Sequence, residues 1–192
     1  MSINKLLVAN RGEIAARVVR TARAIGIRTA VLRHAAEIEA PAHLIADEVV
    51  MIEGVTPVAA YLDIPQIVAA AKKIGADAVH PGYGFLSENA GFVAALEEAG
   101  VTFVGPTSEV IDLMGDKVRA RAFVEKRGFP VAPSAIEDDD PTTFVERART
   151  LGYPLLIKPS AGGGGKGMRI VREDSTLKTE IETARREGQR YF

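Results

Sequence analysis

Hydrophobic positions follow two rhythms that alternate along the first two thirds of the chain. Short apolar runs at residues 5–9, 28–32, 48–52, 78–80 and 102–104 have the length of strands. Between them, residues 12–25, 64–74, 89–99, 108–114 and 117–127 carry apolar side chains three or four apart, the spacing of helices packed on one side, and residues 42–46 form one further helical turn. Ile14, Val18, Ala22 and Ile25 are expected to share the buried face of the first helix. Asn10 with Glu13 three residues later predicts a capping box for that helix, and Asp63 ahead of Pro65 and Gln66 marks another helix start. Gly26 and Gly75 end the helices that these signals open. Strand and helix in strict alternation predict a doubly wound α/β domain with a parallel sheet and right-handed crossovers. The stretch from Pro81 through Gly82, Tyr83, Gly84, Phe85, Leu86, Ser87 and Glu88 to Asn89 then leaves the carboxyl end of a strand, where open α/β sheets bind ligands.

The periodicity breaks at residues 128–133, where Gly128, Pro130 and Pro133 read as a linker. This divides the chain into domains at 1–130 and 131–192. Asp140 before Pro141 reads as an N-cap with proline at the first helical position, and Asp138 and Asp139 favour the helix dipole rather than a metal, so a helix is expected over 141–151. Beyond it two apolar runs, 155–158 and 168–171, flank a tip built around Gly162, Gly163, Gly164, Gly165 and Gly167. Leu177, Ile181 and Ala184 mark a last amphipathic helix, with no closing strand after it. Four consecutive glycines cost conformational entropy on ordering, so they point to backbone N–H groups that approach a ligand closely. Phosphate is the usual occupant, and Lys158 and Lys166 would bring it positive charge. Little packing would restrain this tip without nucleotide, and residues 161–166 are expected to be mobile.

Gly162, Gly164 and Gly167 satisfy G-x-G-x-x-G, but a strand rather than a helix follows, against a dinucleotide fingerprint, and Lys166 is followed by glycine rather than Ser or Thr, against a Walker A loop. A glycine lid between two antiparallel strands remains, as in protein kinases and ATP-grasp enzymes. Lys158 precedes the loop, which favours ATP-grasp. The early turn Asn10-Arg11-Gly12-Glu13 lacks the later glycines of an NAD site.

Composition narrows the remaining classes. With 192 residues, 47% hydrophobic and 26% charged at a net charge of −1, the chain reads as a soluble globular protein rather than a disordered one. The absence of cysteine excludes thiolate catalysis and cysteine zinc sites and suits a reducing compartment, so a cytoplasmic location is expected. No membrane partner is expected, since no apolar run approaches the roughly 18 residues of a membrane span and the first residues lack the core of a signal peptide. Near-neutral charge without tryptophan argues against a nucleic-acid surface. Arg17 and Arg20 form either a solvated basic face or a subunit contact.

Three stretches coincide in order and spacing over the whole chain: Ala9-Asn10-Arg11-Gly12-Glu13-Ile14, His80 through Asn89, and Met114-Gly115-Asp116-Lys117 ahead of the glycine hairpin. Together they resemble the biotin carboxylase family, which includes the biotin carboxylase components of acyl-CoA carboxylases and of pyruvate carboxylase. The resemblance implies a Rossmann-like, pre-ATP-grasp N-terminal domain followed by an incomplete α+β ATP-grasp lid subdomain. It implies ATP- and bicarbonate-dependent carboxylation of biotin through carboxyphosphate, with ATP and Mg2+ as cofactors and biotin as the carried substrate. The partners implied are a biotin carboxyl carrier domain and a carboxyltransferase component, in a homodimeric full-length protein, and fatty acid metabolism is one setting. Lys117 and Lys158 match the family's ATP-binding lysines, and Gly162, Gly163, Gly164, Gly165, Lys166, Gly167 and Met168 match its phosphate loop. Tyr83 and Glu88 match a loop facing the reaction centre, with no catalytic residue otherwise assigned to this chain.

The chain departs from the family at Ala35-Ala36-Glu37, where an aspartate is usual, and at Ala42-His43, where the histidine is displaced by one. The magnesium ligands, adenine-pocket floor, general base and transition-state arginine of the family belong to residues beyond this chain, so the chain alone is expected to be inactive and to dimerise weakly through the Arg17 and Arg20 face. Competing readings are a non-catalytic binding or assembly module of the same fold and another ATP-grasp ligase, such as a carbamoyl-phosphate or amino-acid ligase.

Overall fold

Residues 2–137, 140–158 and 167–191 are described by the computed structural model, without the side chains of 188–191. They fall into two units, Met1–Gly115 and Asp116–Phe192, whereas the sequence pattern put its boundary at 130, one helix further on.

In the first unit the apolar runs become β1 (Lys5–Val8), β2 (Arg28–His34), β3 (Glu48–Ile52), β4 (Ala78–His80) and β5 (Thr102–Phe103), each within two residues of its expected position. They form one parallel sheet in the order β3-β2-β1-β4-β5. β1 pairs on both edges, Leu7 standing opposite Ala30 on one side and Val79 on the other. Its side chains feed both faces of the sheet, which is why the run is apolar throughout rather than alternating. Leu6 and Val8 join one core with Ala15, Ala16, Val19 and Ala22 of α1 (Gly12–Ala24) and Ala42 of α2 (Pro41–Ile45). Leu7 and Ala9 join the other with α3 (Pro57–Tyr61), α4 (Ile64–Lys73), α5 (Ala90–Glu98) and α6 (Ser108–Gly115), through Tyr61, Ile67, Phe92 and Ile111. The doubly wound α/β expectation is met.

Two local expectations are corrected and one element is added. The buried stripe of α1 is Ala15, Ala16, Val19 and Ala22, while Ile14 and Val18 are half-buried and Ile25 is 69% exposed. Small side chains let the helix axis approach the sheet, so closeness of fit outweighs the size of the apolar group. Asn10 does not cap α1: its N-cap is Arg11, with no side-chain cap bond, and the Asn10 oxygen, the atom a cap would use, accepts instead from the N–H of Arg11. The added element is α3, absent from the sequence reading; Thr56 caps it by accepting from the N–H of Ala59, and Pro57 sits in its first turn. The start at Asp63 stands as read, its carboxylate accepting from the N–H of Gln66.

In the second unit α7 (Lys117–Glu125) is capped by Asp116, which accepts from the N–H groups of Val118 and Arg119. The next helix, α8 (Phe144–Arg149), begins three residues later than the expected 141. Asp140 accepts from the N–H and hydroxyl of Thr142 and from the hydroxyl of Thr143, which holds 141–143 as a turn ahead of the helix. These bonds bring the Asp140 carboxyl down to about 2. β6 (Leu155–Ile157) and β7 (Arg169–Val171) pair antiparallel, and α9 (Asp174–Tyr191) lays Leu177 and Ile181 against Val171 and Ala148.

Phe92 is fully buried and meets Phe103 edge-on, with centroids 6.1 Å apart. Phe92→Ala is expected to destabilise the first unit by about 3–5 kcal/mol, read as a lower urea midpoint at unchanged slope.

Candidate functional site

The strand order reverses at β1: the chain steps outward through β2 and β3 on one side and through β4 and β5 on the other. The loops leaving β1 and β4 therefore meet at the carboxyl edge, at the switch point of the sheet. The N–H of Ala9 still donates to the carbonyl of His80, 2.9 Å away, and beyond this last ladder bond side chains take over. Asn10 is fully buried; its Nδ2 donates to the carbonyls of Pro81 at 2.7 Å and Tyr83 at 3.0 Å, and its Oδ1 accepts from the N–H of Arg11 at 2.9 Å. Gly82 has φ +66° and donates its N–H to His80 Nδ1 at 2.9 Å. A Cβ on Gly82 would stand 2.6 Å from the Asn10 amide nitrogen and 2.7 Å from Ile14, so both conformation and space demand glycine. Burial lowers the basicity of His80, which suits a neutral ring accepting at Nδ1.

On this frame Tyr83 is exposed, and its hydroxyl donates to Glu13 Oε1 on α1 at 2.6 Å. That hydrogen bond, followed by burial and the charge of Glu13, raises the Tyr83 phenol. Glu88 is also exposed, near the far end of the same loop. Between them Phe85 takes φ +44° and stacks on Tyr61 at 5.2 Å, with the Arg11 guanidinium 5.6 Å from the Phe85 centroid and 6.0 Å from that of Tyr61. Glu37, at the departure from the family pattern, ties this stack together. It accepts from the N–H of His34 at 2.9 Å, from Arg11 at 3.1 Å and from the Tyr61 hydroxyl at 3.1 Å. Burial pushes the Glu37 carboxyl up, but the bonds from His34, Arg11 and Tyr61 together hold it below its ordinary value. Burial also pushes the Tyr61 hydroxyl up, reinforced by Glu37.

The second unit holds the other candidate residues. Lys117 opens α7 and Lys158 follows β6, both exposed. In the hairpin Leu156 stands opposite Ile170, flanked by the pairs Leu155 with Val171 and Ile157 with Arg169. Leu155, Ile157 and Val171 turn inward to Leu177 and Ile181. Leu156, Met168 and Ile170 are left 47%, 45% and 60% exposed. By the two-residue alternation Lys158 continues the side of Leu156, and Met168 that of Ile170. The hairpin thus offers an apolar face ending in a cation, the chemistry of a flat ring joined to a polyphosphate. Lys158 and Met168 are the positions expected from the sequence, and Leu156 and Ile170, which share their side of the hairpin, were not among them, although the alternation at 155–158 carried that signal. Gly167 has φ +73°. Gly162, Gly163, Gly164, Gly165 and Lys166 lie outside the described residues, as does the expected mobility of the tip.

Among the described residues no group of three His, Asp or Glu side chains could hold a metal ion, and no helix is long and apolar enough to cross a membrane.

The Glu37 network fixes a pH dependence. A carboxyl held below its ordinary 4.5 in the fold contributes stability that is complete above that value and lost as pH falls through the lower folded one. Glu37→Gln is expected to cost about 1–2 kcal/mol at pH 7 in urea unfolding, and the gap to wild type should narrow below pH 4.5.

Comparison with known proteins extends this picture. Residues 2–111 match the family described as biotin carboxylase, N-terminal domain, and residues 116–192 match the carbamoyl-phosphate synthase L chain, ATP binding domain. The biotin carboxylase of Haemophilus influenzae is 44% identical over 99% of this chain, which spans 43% of that protein. The pyruvate carboxylase of Bacillus subtilis is 46% identical over 100% of this chain and 17% of its own length. Among solved structures, the biotin carboxylase domain of Hydrogenobacter thermophilus 2-oxoglutarate carboxylase, a dimer in complex with MgADP, ADP and bicarbonate, superposes with a TM-score of 0.87 at 43% identity, covering 100% of this chain and 42% of that one. A family match across 2–111 and a relative 44% identical along the chain agree with the switch-point loop: the chain belongs to the biotin carboxylase family.

Proposed function

We propose that this chain is the N-terminal part of a biotin carboxylase, an ATP-grasp ligase that uses ATP and bicarbonate to carboxylate carrier-bound biotin through carboxyphosphate. The single observation that carries the reading is the hairpin face, where Leu156, Met168 and Ile170 adjoin Lys158. It is the arrangement a nucleotide needs, and the Hydrogenobacter relative was solved with MgADP and bicarbonate. On this reading Asp116–Phe192 is the start of the ATP-grasp lid. Lys117 and Lys158 offset the charge of the polyphosphate, and Gly162, Gly163, Gly164, Gly165, Lys166 and Gly167 close over it with backbone N–H groups. Met168 lies against the base.

Mg2+, held by residues outside this chain, supplies further charge neutralisation at the phosphates. Tyr83 and Glu88 face the reacting groups from the switch-point loop. The partners are a biotin carboxyl carrier domain and a carboxyltransferase component, which selects an acyl-CoA, as in fatty acid metabolism, or a keto acid such as pyruvate. The full-length protein works as a cytoplasmic homodimer.

Phosphoryl transfer depends on positioning, and one wall of a site cannot hold the reacting atoms in line. The 192-residue chain is therefore expected to bind ATP only in the millimolar range, roughly 4 kcal/mol, and to show no bicarbonate-dependent ATP cleavage with free biotin. Substituting residues 1–192 for the matching part of the Haemophilus enzyme should give biotin-dependent ATP cleavage that Lys158→Ala abolishes. A folded chimera indifferent to Lys158→Ala would overturn the reading.

A further inference from the structure

We infer that Asn10 is a positioning residue for Tyr83: its buried amide grips the backbone on both sides of Gly82 and so fixes where Tyr83 stands at the switch point. The inference rests on the reading above that Tyr83 faces the reacting groups. The loop path has little preference of its own, because Gly82 and Gly84 both take positive φ, at +66° and +72°, and glycine enters many other conformations as readily. What fixes the path is contact. Asn10 has two amide protons, and both are spent on this loop, on Pro81 at 2.7 Å and Tyr83 at 3.0 Å, while its oxygen is anchored by the N–H of Arg11 at 2.9 Å. A fully buried amide that left these partners would lose its hydrogen bonds with no water to replace them.

The fit is reciprocal. Gly82 lies so close that a Cβ would meet the Asn10 amide at 2.6 Å, and its N–H is fixed by His80 Nδ1 at 2.9 Å. The Tyr83 hydroxyl bond to Glu13 is exposed and therefore a weaker restraint than the buried amide. Further along, Phe85 is held independently by Tyr61 and Arg11. Loss of the Asn10 donors would therefore release the segment around Tyr83 while leaving Phe85 and the sheet in place. No other side chain type of this length offers two donors: aspartate would set a carboxylate against two carbonyl oxygens, and leucine would leave both carbonyls without a donor.

The test uses the whole 192-residue chain and residue-resolved hydrogen exchange by NMR, comparing Asn10→Asp with Val8→Ala. Val8 is equally buried in β1 but has no bond to the loop, so its variant reports general loss of packing. Asn10→Asp is expected to speed exchange at Gly82 at least tenfold and to shift the Tyr83 ring resonances. Exchange at the sheet amides of Ala9 and Val104 should change no more than in Val8→Ala. A rise spread evenly over loop and sheet, or unmoved Tyr83 resonances, would overturn the inference. Asn10→Ala, read in the same way, replaces Asn10→Asp if that variant does not fold; if neither folds, Asn10 holds the fold rather than the loop and the inference is wrong. In the Haemophilus chimera, Asn10→Asp should lower the rate of biotin carboxylation at least tenfold at unchanged KM for ATP. Tyr83→Phe separates the two ideas there: if it leaves that rate unmoved, the role given to Tyr83 fails, while hydrogen exchange still decides whether Asn10 positions the loop.

Discussion

A strand at the centre of a parallel sheet has neither a free edge nor a free face, and β1 is held to both conditions. Its Leu6, Leu7 and Val8 supply two separate cores while its backbone is shared between β2 and β4. Because the strand order reverses across it, the residue that follows β1 emerges beside the residue that follows β4. Once the ladder ends at the bond from Ala9 to His80, the carbonyls of Pro81 and Tyr83 need donors that no neighbouring strand supplies. A buried asparagine at position 10 meets that need, and the course of the loop, the glycine at 82 and the exposure of Tyr83 follow from it.

Much of this architecture was legible because strands buried on both faces leave continuous apolar runs, and the switch-point loop was legible because it follows one. What escaped were choices settled by proximity rather than by pattern. Ile14 and Ile25 looked like core, yet Ala15 and Ala16 lie against the sheet instead, because an interface of small residues admits the backbone more closely than branched ones do. Asn10 looked like a cap because its type and spacing suit one, and nothing local tells that its amide turns to a loop some seventy positions on. The turn at 141–143 hid for the opposite reason: Asp140 is satisfied by hydroxyls next to it in the chain, which compete with the helix for its carboxylate.

The candidate site divides in the same way. Lys158 and Met168 could be read from the chain, but Leu156 and Ile170, which complete their face, look like any pair of core residues until the register shows them opposite one another and turned outward. Arg11, Glu37, Tyr61 and Phe85 lie too far apart in sequence for any motif to join them. Glu37 shows how a departure from a family pattern can still leave a fully bonded site: one carboxylate on the loop after β2 serves a backbone amide, a guanidinium and a phenol together.

The closeness of Gly82 to Asn10 has an evolutionary meaning as well as a structural one. With 2.6 Å between the amide nitrogen and the place where a Cβ would stand, positions 10 and 82 are not two sites but one character. A methyl at 82 evicts the amide, and loss of the amide removes the reason for a bare backbone at 82, so the cost of the double change cannot be the sum of the single ones. Drift at this corner must pass through a poorly fitting intermediate. The pair is thus an epistatic barrier inside an otherwise permissive loop.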